Sequence, residues 1–363
     1  MKLIMGEKVI IVESPAKSKT ISGYLNNEAI VLSSVGHIRD LKTSGPEGLG
    51  VDINNQFAPD YAVSPLKKKV VQELLAKTKG KEVLIATDPD REGEAIAWHL
   101  AEVLNLDLNE KNRIVFREIT KPAVMDALNH VRKIDMPLVN SQEARRILDR
   151  IIGFKLSKLL QRKIKSKSAG RVQSVALKLI SDLEKEIKAF IPEEYHNIYA
   201  HFNDFRADYI IVPKDKRIKA DEAHKIVAES KNPFIVTDIT KKETKRQAKA
   251  PYITSTLQQD AVNNLNMSSS RVMAVAQKLY EGVEINGERV GLITYMRTDS
   301  TRLSPLFVSE ANGYITKTFG QNYLGTYKTN NKDNAQDAHE AIRPTSCYKT
   351  PESLEQYLDK DEL

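Results

Sequence analysis

The 363-residue chain has a single cysteine, Cys347. One thiol excludes a disulfide within the chain and any zinc site built on cysteine ligands. No apolar run approaches the ~18–20 residues needed to cross a bilayer. No GxxxxGK[ST] loop is present to cradle the phosphates of a nucleotide, and no internal repeat stands out. The N-terminal MKLIMGEKVIIVESP opens on a short apolar run, but Glu7 and Lys8 interrupt it and Glu13 ends it. It reads as a first strand rather than a secretory signal. Without such a signal, the closing Lys360-Asp361-Glu362-Leu363 is not read as a retention address, and a cytoplasmic location follows by default.

What is present is ample apolar content, 41% of residues, which argues against global disorder. The length exceeds one ordinary core, so about two to four domains are expected. The net charge of +7 is a moderate bias toward polyanions. It is concentrated in KIKSKSAGR (163–171) and KKETKRQAK (241–249). A solvated charged face accounts for such runs unless separate chemistry points to phosphodiesters.

Along the chain, KVIIVE (8–13) is a β-branched run suited to a buried parallel strand. Ser14 offers an N-cap and Pro15 a first helical position for the helix that follows. The same construction recurs at 81–104: KEVLIAT as strand, DPD as turn, REGEAIAWHLAEVL as amphipathic helix capped by Asp90. RIVFREIT (113–120) is expected as a third strand and Lys121–Val131 as a helix. Alternating strands and helices define an α/β domain with a largely parallel sheet. In such sheets ligands bind beyond the carboxyl ends of the strands, where Glu13, Asp88, Asp90 and Glu92 fall. Residues 33–65 break the pattern and read as an excursion from the sheet. Residues 138–190 read as helical with a break at KIKSKSAG. From 192 to about 248 short alternating runs suggest a β-rich piece, with 241–249 as a linker. Beyond 250, helices are expected at 254–265, 269–281 and about 304–318.

The chemistry is carried by a few stretches. GLITYMRTDS (291–300) places Tyr295 two residues before Arg297, and on an extended segment both face the same way. A phenol has a pKa of about 10, and a nearby cation both favours the phenolate and holds a phosphate for attack. Alone, the pair is also what a half-buried ring beside a surface charge looks like. DPDREGE (88–94) presents Asp88, Asp90 and Glu92 on a turn entering a helix. A lone Asp there would simply favour the helix dipole. Three carboxylates after a buried strand, with Glu13 on another strand end, favour a cation, and oxygen-only ligands suit Mg²⁺. Lys17, four residues after Glu13, reads equally as phosphate-facing or as a solvated surface lysine. Arg145 and Asp149 in QEARRILDR are spaced for a helix-surface ion pair, and His339 and Arg343 in HEAIRP share that spacing.

Taken together, VESPAKSKTI (12–21), SSVGHIRDL (33–41), ATDPDREGEAIAWH (86–99), QEARRILDRIIGF (142–154), SAGRVQSVALKLI (168–180), GLITYMRTDST (291–301) and AHEAIRP (338–344) closely resemble bacterial DNA topoisomerase I of the type IA class. The motifs keep the family's order and span nearly the whole chain. No single one suffices, since the DxDxE pattern is shared with primases and some nucleases through the Toprim fold.

The resemblance implies a multi-domain α/β and α protein. A Rossmann-like Toprim domain spans 1–137, with its excursion at about 35–62. A helical DNA-binding segment follows at 138–191, a β-rich arch segment and linker at 192–249, and a domain bearing the catalytic tyrosine at 250–363. It implies Tyr295 as the nucleophile that forms a 5′-phosphotyrosine, with Arg297 steadying the scissile phosphate. Glu13 serves the 3′ oxygen as proton donor and acceptor, Lys17 stabilises phosphate charge, and His339 assists. Glu13, Asp88, Asp90 and Glu92 match the Mg²⁺ cluster. Single-stranded DNA is expected at His37, Arg145, Arg146, Asp149 and Phe154. The loop Ser168, Ala169, Gly170, Arg171, Val172 and Gln173 belongs to the same surface, as do Arg297 and Arg343. A monomer associated with the nucleoid is implied.

Two departures stand out. Gln161 occupies a DNA-side position where many relatives carry a bulky aromatic, which removes a stacking contact to a base, and the following KIKSKSAG is one residue short. Family members also continue past the HEAIRP region to complete the arch, so cleavage chemistry is expected here and strand passage is in doubt. The competing readings are a single-stranded-DNA-binding module without turnover and a Toprim nuclease.

Overall fold

The computed structural model describes residues 8–325 and 339–363 apart from 27, 166, 214, 232, 245 and 247. The start of the N-terminal run, Ala338 of AHEAIRP and two positions of the 241–249 linker therefore lie outside the described residues.

β1 (Lys8–Val12) is the central strand of a parallel sheet. Ser14 caps α1 (Pro15–Leu25), its hydroxyl accepting from the Lys17 N–H at 3.2 Å. β2 (Ala29–Ser33) flanks β1 on one side. The excursion then carries β3 (Arg39–Leu41), β4 (Val51–Asp52), β5 (Ala58–Pro59) and β6 (Tyr61–Val63), paired antiparallel as β3–β6 and β4–β5. α2 (Lys68–Thr78) leads back to β7 (Glu82–Ile85), which lies parallel to β1 on its other side. The sheet order is β2-β1-β7.

Because side chains alternate along a strand, β1 feeds two cores. Val9 and Ile11 enter one with Leu74 of α2 and Ile96 and Leu100 of α3 (Arg91–Leu104). Ile10 and Val12 enter the other with Ile21 and Leu25 of α1. That second core continues into Tyr280, Tyr295, Met296 and Ile342. The segment bearing the tyrosine is thus packed onto the sheet by the apolar face of its first strand.

RIVFREIT does not form a full strand. Arg113 bridges Ile85 in parallel and Arg132 antiparallel. Further on, the Arg117 carbonyl accepts from the Tyr295 N–H at 2.8 Å and the Ile119 carbonyl from the Gly291 N–H at 3.2 Å. These bonds go to the tyrosine segment instead of a sheet edge. α4 (Lys121–Asn129) and the 29-residue α5 (Met136–Ile164) complete this part.

The chain forms two compact units, 1–168 with 249–363, and 169–248. The second contains α6 (Arg171–Ala189), the hairpin β8 (Tyr199–His201) and β9 (Arg206–Asp208), and α7 (Ala220–Glu229). FIVTDI (234–239) forms no strand there, and α7 is an element that the alternating pattern does not suggest. Back in the first unit come α8 (Thr254–Leu265), α9 (Ser269–Glu281), the hairpin β10 (Val283–Ile285) and β11 (Glu288–Val290), and α10 (Pro305–Thr318). No described helix is long and apolar enough to cross a membrane.

Candidate active site

The carboxyl ends of β1 and β7 bring Glu13 and Asp88 together. Lys17, from the first turn of α1, is buried between them. Its ammonium donates to Glu13 at 2.5 Å and also to Asp88. The surface-lysine reading is therefore excluded. Asp90 caps α3 through the Gly93 N–H at 2.8 Å. Only glycine fits at 93, since a Cβ there would stand 2.1 Å from the Asp88 carbonyl oxygen.

The tyrosine segment approaches the same turn. The Tyr295 hydroxyl donates to Asp90 Oδ2 at 2.6 Å, and the Arg297 guanidinium lies 3.9 Å from that oxygen. The expected pairing of the two side chains is realised at one carboxylate, with the ring buried and the arginine exposed. His339 Nε2 donates to the Pro89 carbonyl at 2.6 Å. Glu92 accepts from Gln142 at 3.1 Å and meets His37 at 3.3 Å. Glu13, Asp88, Asp90, Glu92, Arg297 and His339 all line one cavity of about 1150 Å³.

The electrostatics of this cavity are dominated by burial. Burial raises Asp88 to about 7 against the pull of Lys17, and neighbouring Glu13 adds to the rise. Burial acts on Glu13 in the same direction, but the hydrogen bond with Asp88 and the Lys17 charge hold Glu13 below its ordinary value. Lys17 is raised, because the two carboxylates outweigh its desolvation. Tyr295 is pushed far above the usual phenol range by burial and by Asp88 and Asp90, with Arg297 the opposing influence. In this arrangement Tyr295 is a neutral phenol, and Arg297 alone does not deliver the phenolate expected from its spacing.

By kind the carboxylates suit a hard divalent cation: all are oxygen donors, all line one cavity, and burial raises Asp88 even beside Lys17. As the side chains stand, Lys17 and Tyr295 engage oxygens a cation would use. Among the described residues no three acidic, histidine or cysteine side chains converge on one point.

A second cavity of about 420 Å³ adjoins the first and shares His37, Glu92, Gln142 and Arg145 with it. Arg146 grips Asp40 at 3.0 and 2.5 Å, and Arg145 pairs with Asp149 at 3.8 Å. Arg39 lies 5.0 Å from the Trp98 ring and 5.6 Å from Tyr61, and donates to His99 at 3.0 Å. Burial, then the Arg39 charge, lowers His99 to about 3. Phe154 lies under the Arg150 guanidinium at 5.0 Å. Gln161 is exposed and donates to the Lys167 carbonyl at 2.8 Å.

Other expected DNA contacts fall elsewhere. Arg343 is turned inward, paired with Glu340 at 2.7 Å and Glu118 at 2.9 Å, and does not line the acid cavity. Such a buried ion pair satisfies a charge that water no longer reaches. Ala169, Gly170, Arg171, Val172 and Gln173 belong to the second unit, while Ser168 belongs to the first. Gly170 and Arg171 open α6, where the Gly170 carbonyl accepts from the Ser174 N–H at 2.9 Å.

Three residues of this site escape a reading by motif. Glu94, the last acid of DPDREGE, is buried and accepts from Arg113 at 3.1 Å, Arg132 at 2.8 Å and the Asp135 N–H at 2.6 Å. Arg113, fully buried, donates to the carbonyls of Thr87 and Asp88, both at 2.8 Å, so it fixes the acid turn from beneath. A charge at the head of the apolar run IVF was the available signal. Tyr280 on α9 donates to Asp88 Oδ1 at 3.2 Å, and its sequence context reads only as an apolar helix face.

A parallel sheet with carboxylates beyond its strand ends is consistent with a Toprim domain, and residues 8–119 match that domain family. Residues 133–362 match the DNA topoisomerase family, and the chain belongs to it, in the bacterial type IA class. The fold is similar to full-length topoisomerase I from Thermotoga maritima, with 46% sequence identity over 98% of this chain and a TM-score of 0.85. The chain spans 58% of the length of that protein.

Proposed function

We propose that this chain carries the strand-cleaving centre of a type IA topoisomerase and acts on single-stranded DNA. The observation that carries this reading is the Tyr295 hydroxyl, hydrogen-bonded at 2.6 Å to a strand-end carboxylate with Arg297 beside it. Tyr295 Oη attacks the scissile phosphorus as its proton passes to Asp90, the carboxylate it already donates to. The bond from phosphorus to the 3′ oxygen breaks, leaving a 5′-phosphotyrosine and a free 3′-hydroxyl. Glu13, hydrogen-bonded to the more readily protonated Asp88, passes a proton to the departing 3′ oxygen and takes it back on religation, while Lys17 and Arg297 hold the charge on the phosphate. One phosphodiester replaces another, so no nucleotide is consumed, and supercoil strain in the DNA drives relaxation.

Glu13, Asp88, Asp90 and Glu92 would hold Mg²⁺. When bound, the ion would supply positive charge that offsets the charge of the phosphate and of the carboxylates near it. His37 and Arg145 line both cavities and Arg146 lines the second, which supports a path for the single strand toward Arg297 in the first.

The test is a 3′-labelled single-stranded oligonucleotide mixed with the chain and Mg²⁺, then quenched with denaturant. Label migrating with the protein is expected. Binding without an adduct would favour the module without turnover, and free labelled ends would favour a nuclease.

A further inference from the structure

We propose that Tyr280 is a positioning residue that couples delivery of the nucleophile to the setting of the metal-site acid Asp88. This rests on the functional reading above. Tyr280 is fully buried on α9, in the same part of the chain as Tyr295. Its hydroxyl donates to Asp88 Oδ1 at 3.2 Å. Its ring meets the Tyr295 ring edge-on, with centroids 5.2 Å apart and planes at 62°. The Lys17 ammonium lies 5.2 Å from the same ring.

A core tyrosine satisfied by a main-chain carbonyl would be unremarkable. Here the acceptor is a buried carboxylate of the Toprim domain, 192 positions away in sequence. Asp88 Oδ1 accepts from two donors: Lys17 from the Toprim domain and Tyr280 from the tyrosine-bearing part. An acid that binds a cation with one oxygen is oriented by what its remaining lone pairs accept, and such outer partners govern affinity. The helix that backs the nucleophile therefore also completes the surroundings of Asp88. Close docking makes this possible: a Cβ on Gly291 would stand 2.9 Å from the Tyr280 carbonyl oxygen and 2.7 Å from that of Ile119. The ring thus fixes Tyr295 while the hydroxyl fixes Asp88, and the two roles separate by mutation.

The test is Mn²⁺ binding followed by electron paramagnetic resonance for the wild-type chain, Tyr280→Phe and Tyr280→Leu, with thermal melting as a check on folding. Oligonucleotide cleavage at limiting and saturating Mn²⁺ completes it. Tyr280→Phe keeps the ring and is expected to weaken Mn²⁺ binding by about tenfold, with cleavage recovering as Mn²⁺ is raised. Tyr280→Leu is expected to lose affinity equally and to cleave slowly even at saturation, because Tyr295 loses its ring neighbour. Wild-type affinity in Tyr280→Phe, or no Mn²⁺ binding by the wild-type chain, overturns the proposal. A wild-type chain that binds Mn²⁺ without forming an adduct fails the functional reading instead, and the affinity comparison still decides the role of the Tyr280 hydroxyl.

Discussion

Tyr295 reaches across 205 positions of sequence to donate its hydroxyl proton to Asp90 at 2.6 Å. Tyr295 is therefore tied to the turn that caps α3. Tyr295→Phe deletes the bond and the proposed nucleophile but keeps the ring packed against Tyr280. Its melting temperature is expected close to wild type, with adduct formation abolished. A large loss of stability would mean that the hydroxyl is chiefly a structural group.

Glu94 gives a prediction about stability rather than chemistry. It is the shared acceptor for Arg113 and Arg132. Glu94→Gln leaves the buried Arg113 guanidinium without its counter-charge, which is expected to cost about 3–5 kcal/mol. A shift of the urea midpoint at unchanged slope would report it. A midpoint equal to wild type would show that Arg113 is held by main-chain carbonyls alone.

Two glycines mark backbone approaches that admit no side chain. Gly93→Ala sets a Cβ 2.1 Å from the Asp88 carbonyl oxygen, and Gly291→Ala sets one 2.7 Å from that of Ile119. The first is expected to displace the acid turn and weaken Mn²⁺ binding. The second is expected to spare Mn²⁺ binding more and to reduce cleavage by shifting the Tyr295 segment. Equal effects of both variants on both readouts would contradict this separation.

His99 supplies a pH test. Its folded pKa, about 3, lies below the ordinary 6.5. As pH falls, the unfolded chain takes up this proton first, so the contribution of His99 is full above 6.5 and is lost progressively toward about 3. Between pH 6.5 and about 4 the loss is on the order of 3 kcal/mol. Stability of His99→Gln is expected to fall less steeply than wild type across that window. Parallel curves would mean that His99 is protonated together with the unfolded state.

Much of the scaffold is written locally. The β-branched run of β1, the Ser14-Pro15 cap, the Asp90 cap and the 269–281 helix are read from a few neighbouring residues, and they form as expected. The acids at the strand ends are legible because the parallel sheet fixes where its carboxyl edge lies. What is not legible depends on partners far along the chain. RIVFREIT reads as a strand by pattern, yet its carbonyls at 117 and 119 bond to the tyrosine segment. Tyr280 and Glu94 gain meaning only from Asp88 and Arg113, which no spacing rule joins to them. Arg343 shows the converse: its motif suggested a DNA contact, while Glu118 and Glu340 draw it inward.

The most direct test of the central claim is to identify the residue that carries the DNA. The chain is incubated with a single-stranded oligonucleotide and Mg²⁺, denatured and digested with nuclease and trypsin. The peptide that retains a nucleotide is then sequenced by mass spectrometry. A nucleotide joined through its 5′ phosphate to Tyr295 is the predicted result. A modified residue other than Tyr295, or cleaved DNA with no modified peptide at all, would contradict it.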